Sequence, residues 1–456
     1  MHHHVSTAGR TMDLTEGSIT KQMILFALPL MLGNIFQLMY NTVDVIVVGN
    51  FVGKEALAAV GSTTMIVNMA VFFFNGFSVG AGVVIGQYFG AKEEGPLHMA
   101  IETTMTMTFF FCVLFTVLGR AGVAPMLRFM STPEDVFGDA STYLAIYFSG
   151  IAGLLIYNMG SGILRAVGNT TLPLLFLVLT SVLNIFLDLA FVLLLHAGIA
   201  GVAYATIISQ AISGVLTLIL LTRSKEVYRL SWRDLGVDFT TLRRIFIVGL
   251  PAGVQSVITA FSNVFVQAYV NFFGSACMAG WSCYNKLDQF IMLPMQSMAL
   301  AATSFVSQNI GARKEERAHQ GTKTAIAMTV LVTALVALFL YVFAEASVGL
   351  FSKDSSVIEF GTLFIRGNVF FLLCNCVNHV LAGALRGRGD AQGPMFIMLF
   401  SFVAVRQVYL FVVTRFVANT PFLVGFGYPV GWMTCCVLEL TYYYFRWGKK
   451  IRRKGH

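Results

Sequence analysis

The sequence predicts an all-α integral membrane protein: twelve transmembrane helices in two six-helix lobes, related by a parallel pseudo-two-fold repeat. Three observations predict it. Of the 456 residues, 57% are hydrophobic and only 11% charged, with mean hydropathy +0.76; a soluble domain carries about a quarter charged residues. Apolar runs of about 20 residues or more, long enough to cross a bilayer, recur twelve times. The two halves also repeat each other at one register, 221 residues.

The runs follow in order. The first, 21–47, carries Asp44 and also Pro29, which removes a backbone hydrogen bond and permits a kink. Runs near 58–87, 98–123, 138–164, 172–195 and 199–222 complete the first six. A basic stretch, 223–243, precedes six more near 244–270, 279–308, 321–345, 360–385, 394–418 and 424–446. The expected organisation is an N-terminal lobe over 14–222, a cytoplasmic linker over 223–243, a C-terminal lobe over 244–447 and a basic cytoplasmic tail over 448–456. Gly and Pro within several runs predict tilts and kinks.

Lys and Arg set the orientation. The termini and even-numbered loops hold twenty-two of them and the odd-numbered loops six, which places both termini in the cytoplasm. The net charge of +8 therefore belongs to loops, not to a nucleic-acid face. Seven cysteines, mostly inside apolar runs, suggest neither a disulfide framework nor a zinc site. The start, MHHHVSTAGRTMDL, lacks the apolar core of a signal peptide, and its histidines are set aside as a purification remnant.

The repeat shows in three separate loops. Asn50-Phe51-Val52-Gly53 recurs as Asn271-Phe272-Phe273-Gly274; Gln87, Gly90, Ala91 and Lys92 recur as Gln308, Gly311, Ala312 and Arg313. Gly162, Leu164, Arg165, Gly168 and Pro173 recur as Gly383, Leu385, Arg386, Gly389 and Pro394. With six spans in each half, the second enters the membrane in the same direction as the first, and a site is expected between or within the halves. Shared residues read as scaffold, and residues present in one half only become candidates for function. Asp44 maps onto Phe265, Asn184 onto Val405, Asp188 onto Tyr409 and Thr206 onto Gly427.

Asn184 and Asp188 are four apart, so on a helix they share a face. A carboxylate in hydrocarbon is costly enough that such residues usually face a cavity or a partner; the plainer alternative is a hydrogen bond that only glues helices together. Asp188 and Thr206 each lie about seven residues from the loop joining the fifth and sixth spans, roughly 10 Å inside the surface, and Asp44 has comparable depth. Asp44, Asn184, Asp188 and Thr206 are therefore expected at one level of one chamber. Gln37 and Tyr40 extend the Asp44 face, and Asn158 and Ser181 are placed to line the same chamber. Lys286 lies level with the cluster, either answering Asp44 or snorkelling outward. Arg406 is expected to pair structurally, with Asp288 as the partner considered, and Glu439 and His379 read as structural. No nucleophile–base pair, phosphate loop or metal-ligand spacing is present, which excludes the common enzyme classes.

These residues together resemble the multidrug and toxic compound extrusion (MATE) family. The likeness rests on Pro29 and Asp44, on Gln87-Tyr88-Phe89-Gly90-Ala91-Lys92, on Leu164-Arg165-Ala166-Val167-Gly168-Asn169 and on Asn184-x-x-x-Asp188, and runs from about residue 14 to the end. The resemblance implies a V-shaped, two-lobed, cofactor-free exporter of organic cations and other drugs in exchange for H⁺ or Na⁺. Asp44, Asn184, Asp188 and Thr206 match the family's cation site, which would be a metal site only for Na⁺ coupling. Gln37, Tyr40, Asn158 and Ser181 match positions near its drug chamber, and Lys286 a basic position of one branch. The second half lacks the acids of another branch: 256–270 has none, and 366–385 offers Asn375, Asn378 and His379. That favours the DinF-like branch. The expected protein is a cell-membrane monomer with no nucleic-acid partner. The rival within transport is a flippase for lipid-linked oligosaccharides or lipids, whose anionic cargo would call for a cationic cavity.

Overall fold

The computed structural model describes residues 11–448; the N-terminal histidines and the basic tail beyond Gly448 lie outside them. The described chain is helical throughout, and eleven helices are each long and apolar enough to span a membrane. They are α1 Ile19–Val52, α2 Glu55–Ala91, α3 Glu94–Phe129, α5 Thr171–Leu194, α6 Gly198–Arg223, α7 Phe239–Asn271, α8 Ser275–Gly311, α9 Glu315–Val342, α10 Ser355–Gly387, α11 Gln392–Val417 and α12 Pro421–Gly448. Glu134–Ser149 and Ile151–Ala166 form one further span, α4, bent by 49°. Twelve spans result, as the apolar runs predicted.

The bend in α4 has a packing cause. It falls at Gly150, where a β-carbon would lie 2.4 Å from Cβ of Ile207 on α6; three residues on, one at Gly153 would lie 2.5 Å from the backbone nitrogen of Ala211. Small residues let two helices approach closely where lipid offers no hydrophobic drive between them.

Two compact units divide the chain: residues 11–13 with 28–250, and 14–27 with 251–448. The stretch read as a linker is packed scaffold of the first unit. Trp232 stacks on Phe109 at 5.8 Å, the Asp238 nitrogen donates to Thr103 Oγ1 at 3.1 Å, and Arg244 donates to Gln87 Oε1 and Tyr88 Oη at 2.7 Å each. The opening turns of α7 join the same core through Phe246, whose ring lies 5.0 Å from that of Phe77. Residues 14–27 dock correspondingly on the second unit. The Leu14 nitrogen donates to Gln308 Oε1 at 2.9 Å, and Lys314 Nζ donates to the Thr15 carbonyl at 3.0 Å. The core of that unit is built around Trp281, with Phe364 at 4.8 Å and Tyr428 at 5.3 Å.

The repeat survives in backbone detail. Gly168 and Gly389 both adopt φ +86°, and Lys92 and Arg313 adopt φ 59° and 58°. The helices change unit at equivalent points, α1 between Ala27 and Leu28 and α7 between Leu250 and Pro251. Pro29 and Pro251 stand within one or two residues of those changes, inside their helices, where each breaks one i to i−4 hydrogen bond.

Candidate functional site

The first unit assembles its site from α1, α4, α5 and α6. Along α5, Ser181, Asn184 and Asp188 recur at spacings of three and four and are all buried, the polar stripe that a shared face requires. Along α1, Tyr40 and Asp44 are four apart. Both helices finish in a π-helical turn, Val48–Val52 in α1 and Ala190–Leu194 in α5, and these turns pack against each other. Such wide turns gather at functional sites. Here they follow Asp44 by four residues and Asp188 by two.

The carboxyl groups of Asp44 and Asp188 meet within side-chain hydrogen-bonding range. Asp44 Oδ1 and both oxygens of Asp188 are buried without a hydrogen-bond partner. Ionised carboxylates are acceptors only, so two facing each other bond only through something positive between them. Asn184, one turn below Asp188, is 2% exposed, and its Nδ2 and Oδ1 are likewise unpartnered, as is Ser181 Oγ. Buried polar groups are nearly always satisfied, so a concentration of exceptions on one helix face makes this a candidate ligand site. Among the described residues no three His, Cys, Asp or Glu side chains gather as a metal site. A cation held here would meet two carboxylates and an amide, hard oxygen donors.

Around the pair lie side chains that sequence reasoning reached and others that it missed. Tyr40 stands within electrostatic reach of Asp44 and beside Gln37, all on α1. Tyr143 on α4 stands within electrostatic reach of Asp44, Asp188 and Tyr40; Tyr147, one turn on and stacked with it at 6.4 Å, lies beside Gln210 of α6. Tyr143, Tyr147 and Gln210 were missed. The available signal was spacing, since Tyr143–Tyr147 and Thr206–Gln210 repeat the four-residue interval of Asn184–Asp188.

The other expected members have local partners of their own. Thr206 is buried on α6, its hydroxyl donating to the Val202 carbonyl at 3.0 Å. Asn158 Nδ2 donates to the Leu154 carbonyl at 3.0 Å, and its own carbonyl accepts from Ser78 at 2.7 Å. Lys286 belongs to the second unit, with Nζ 5.7 Å from the Phe351 ring centre.

The second unit corrects one expectation. Arg406 does not pair with Asp288. Its Nη2 donates to Ser262 Oγ at 2.5 Å, and its guanidinium lies 5.0 Å over the Tyr428 ring. Ser262 in turn donates to the Phe402 carbonyl at 2.7 Å, in the wide turn Phe400–Val405 of α11, so the arginine is held by backbone geometry that composition does not show. Asp288 is left with Oδ1 buried and unpartnered, beside Tyr284 and Tyr428. Glu439 is fully buried within reach of Arg386 and Cys435, both oxygens unpartnered.

Comparison with known proteins places this geometry. The MatE family model matches twice, over residues 29–190 and 251–412, so the two matches mirror the internal repeat. The chain is 27% identical over 447 residues to the probable multidrug resistance protein YoeA of Bacillus subtilis (strain 168), covering 96% of each chain. It is 22% identical over 407 residues to the multidrug export protein MepA of Staphylococcus haemolyticus (strain JCSC1435), covering 89% of this chain and 88% of that one. A crystal structure of MATE in the bent conformation superposes with TM-score 0.92 at 22% identity, covering 98% of this chain and all of the other.

Proposed function

The chain belongs to the MatE family, and from that premise we propose a secondary active antiporter that exports cationic or amphipathic drugs and toxic compounds in exchange for H⁺ or Na⁺, by alternating access. As a family member it is a membrane transporter, not an enzyme. One observation carries the mechanism: the carboxyl of half-buried Asp44 meets that of fully buried Asp188, whose two oxygens have no hydrogen-bond partner.

Two carboxylates close together in a medium of low dielectric cannot both stay ionised at small cost. At about 4 Å and an effective dielectric of about 20, their repulsion is about 4 kcal/mol. A bound proton or Na⁺ removes that cost, and so does an organic cation, which gives one site two mutually exclusive occupants. In our reading Asp44, Asn184 and Asp188 hold the coupling ion, with Thr206 on the neighbouring face of α6. Gln37, Tyr40, Asn158 and Ser181 line the substrate side. Lys286 is a further substrate-binding residue in this reading, both termini are cytoplasmic and the working unit is a monomer. Tyr143 and Tyr147 join that reading as aromatic wall, since aromatic faces attract cations.

Export from vesicles under an imposed pH or Na⁺ gradient tests the proposal. Accumulation against a concentration gradient that collapses when the ion gradient is dissipated supports it. Ion-independent movement of a lipid-linked anion would favour the flippase reading instead.

A further inference from the structure

We propose that the second lobe carries a separate site for an amphipathic organic cation, in the cavity of about 720 Å³ where α9 hands over to α10. This deepens the transport reading by naming a second place for the same ligand class, and it rests on that reading only for the choice of class.

The cavity is the size of a drug site and is walled by rings. Phe426 meets Phe371 edge-on at 5.1 Å and stacks on Phe422 at 5.9 Å, and Tyr341 and Phe360 also line the cavity. Its charges leave a surplus of one negative. Glu345 and Glu359 both line it, and Arg366 takes Glu345 at 3.3 Å. Glu359 has no ion pair among the described residues. Aromatic faces beside a carboxylate favour a cation with an apolar body. A further group points to a ligand: Thr362, 7% exposed, lines the cavity with Oγ1 buried and unpartnered.

The internal repeat gives an independent reason. At the register that pairs the halves, Phe371 corresponds to Gly150, Phe422 to Gly201, Phe426 to Ala205 and Glu359 to Gly138. In the first lobe Gly150 lets α4 close onto α6, where a β-carbon would lie 2.4 Å from Cβ of Ile207, and a β-carbon at Gly201 would lie 2.9 Å from Cβ of Phe191 on α5. In the second lobe rings stand at the same positions, and the space between helices stays open. A scaffold role would be shared by both halves. The pocket belongs to one, as Asp44 and Asp188 do.

Ethidium, a planar aromatic cation, serves as the probe, titrated by fluorescence into Asp44→Asn protein in nanodiscs so that binding at the first-lobe pair is weakened. Glu359→Gln and Phe422→Ala are then added separately. Both residues are exposed, so neither change threatens the fold, and melting verifies that. Each should weaken the remaining binding about two- to fivefold, the scale of one cation–π or surface-charge contact, and Glu359→Asp should restore most of it. Unchanged affinity in both variants overturns the proposal. So does a Glu359-dependent component that appears only in membranes free of choline headgroups, because the pocket would then be a lipid site. Persistent Glu359-dependent binding in a protein that exports nothing would sink the transport reading and leave the pocket standing. Gradient-driven export without that component would do the reverse.

Discussion

Replacing Asp44 by Asn separates coupling from folding. The amide keeps the shape of the carboxyl and turns an acceptor into a donor aimed at Asp188, whose oxygens have none. A hydrogen bond to a charged group contributes about 1.5–3 kcal/mol, and a mid-span Asp costs about 2.5–3.5 kcal/mol on insertion, of which the neutral amide, with a smaller cost of its own, recovers a part. The variant should therefore insert and melt no lower than the parent. Transport should fail for a different reason. Each coupled proton is worth about 1.4 kcal/mol per pH unit, or tenfold in substrate ratio. With a gradient of about two pH units, the parent can sustain up to about a hundredfold accumulation per proton, and the variant should fall to about onefold. Proteoliposome uptake of a fluorescent cation, run with pH and with Na⁺ gradients and paired with melting of the purified protein, reads both effects. Concentrative uptake by Asp44→Asn would refute the reasoning, and so would lost uptake accompanied by a fall in melting temperature, which would make Asp44 structural.

Four further outcomes are expected. Asp188→Asn should resemble Asp44→Asn or be milder in the same uptake assay, because Asp44 and Asn184 keep part of the site. Tyr409→Phe, at the position equivalent to Asp188, removes a hydroxyl that donates to the Leu423 carbonyl at 3.1 Å; about 1 kcal/mol of stability should go and uptake should persist. Gly153→Val would force side-chain atoms into the Ala211 backbone, where even a β-carbon would lie at 2.5 Å, so α4 and α6 must separate; folded yield and melting should collapse. Asp238 accepts from the Thr241 nitrogen at 2.7 Å at the start of α7, which holds its carboxyl below the ordinary range. Its contribution is complete above the unfolded value of about 3.9 and fades as pH falls through the lower folded one, so acid should depress melting less in Asp238→Asn than in the parent.

How much of this was legible in the sequence depends on what each inference needed. Twelve spans needed only hydropathy and length, and the bent α4 still counts as one because its two arms read as a single apolar run. The lead-in segments were less legible. Residues 14–27 and 223–250 belong to their units through bonds such as Leu14 to Gln308 and Arg244 to Gln87, contacts between positions far apart in sequence that no local composition announces. Arg406 and Asp288 show the same limit: opposite charges on the eighth and eleventh spans suggest a pair, but the packing decides, and Arg406, just after the wide turn at Phe400–Val405, bonds to Ser262.

The two carboxylates were found because charge is conspicuous in an apolar span, and Tyr40 because it shares the Asp44 face; Tyr143 and Tyr147 were not, because an aromatic residue on a span without a charge reads as packing bulk. The repeat can sharpen that distinction. Tyr143 corresponds to Phe364 and Tyr147 to Asn368 in the second half, so each pair keeps its place in the helix and changes its polarity. Phe364 packs dry against Trp281 at 4.8 Å, where a hydroxyl would serve nothing. Tyr143 carries one beside Asp44 and Asp188. A hydroxyl in an apolar span costs free energy unless it is bonded, so its presence on only one of two equivalent helices is better accounted for by the site it faces than by the fold. Comparing the halves residue by residue for lost or gained polar atoms, rather than for charge alone, would have brought Tyr143 into the chamber before any coordinates.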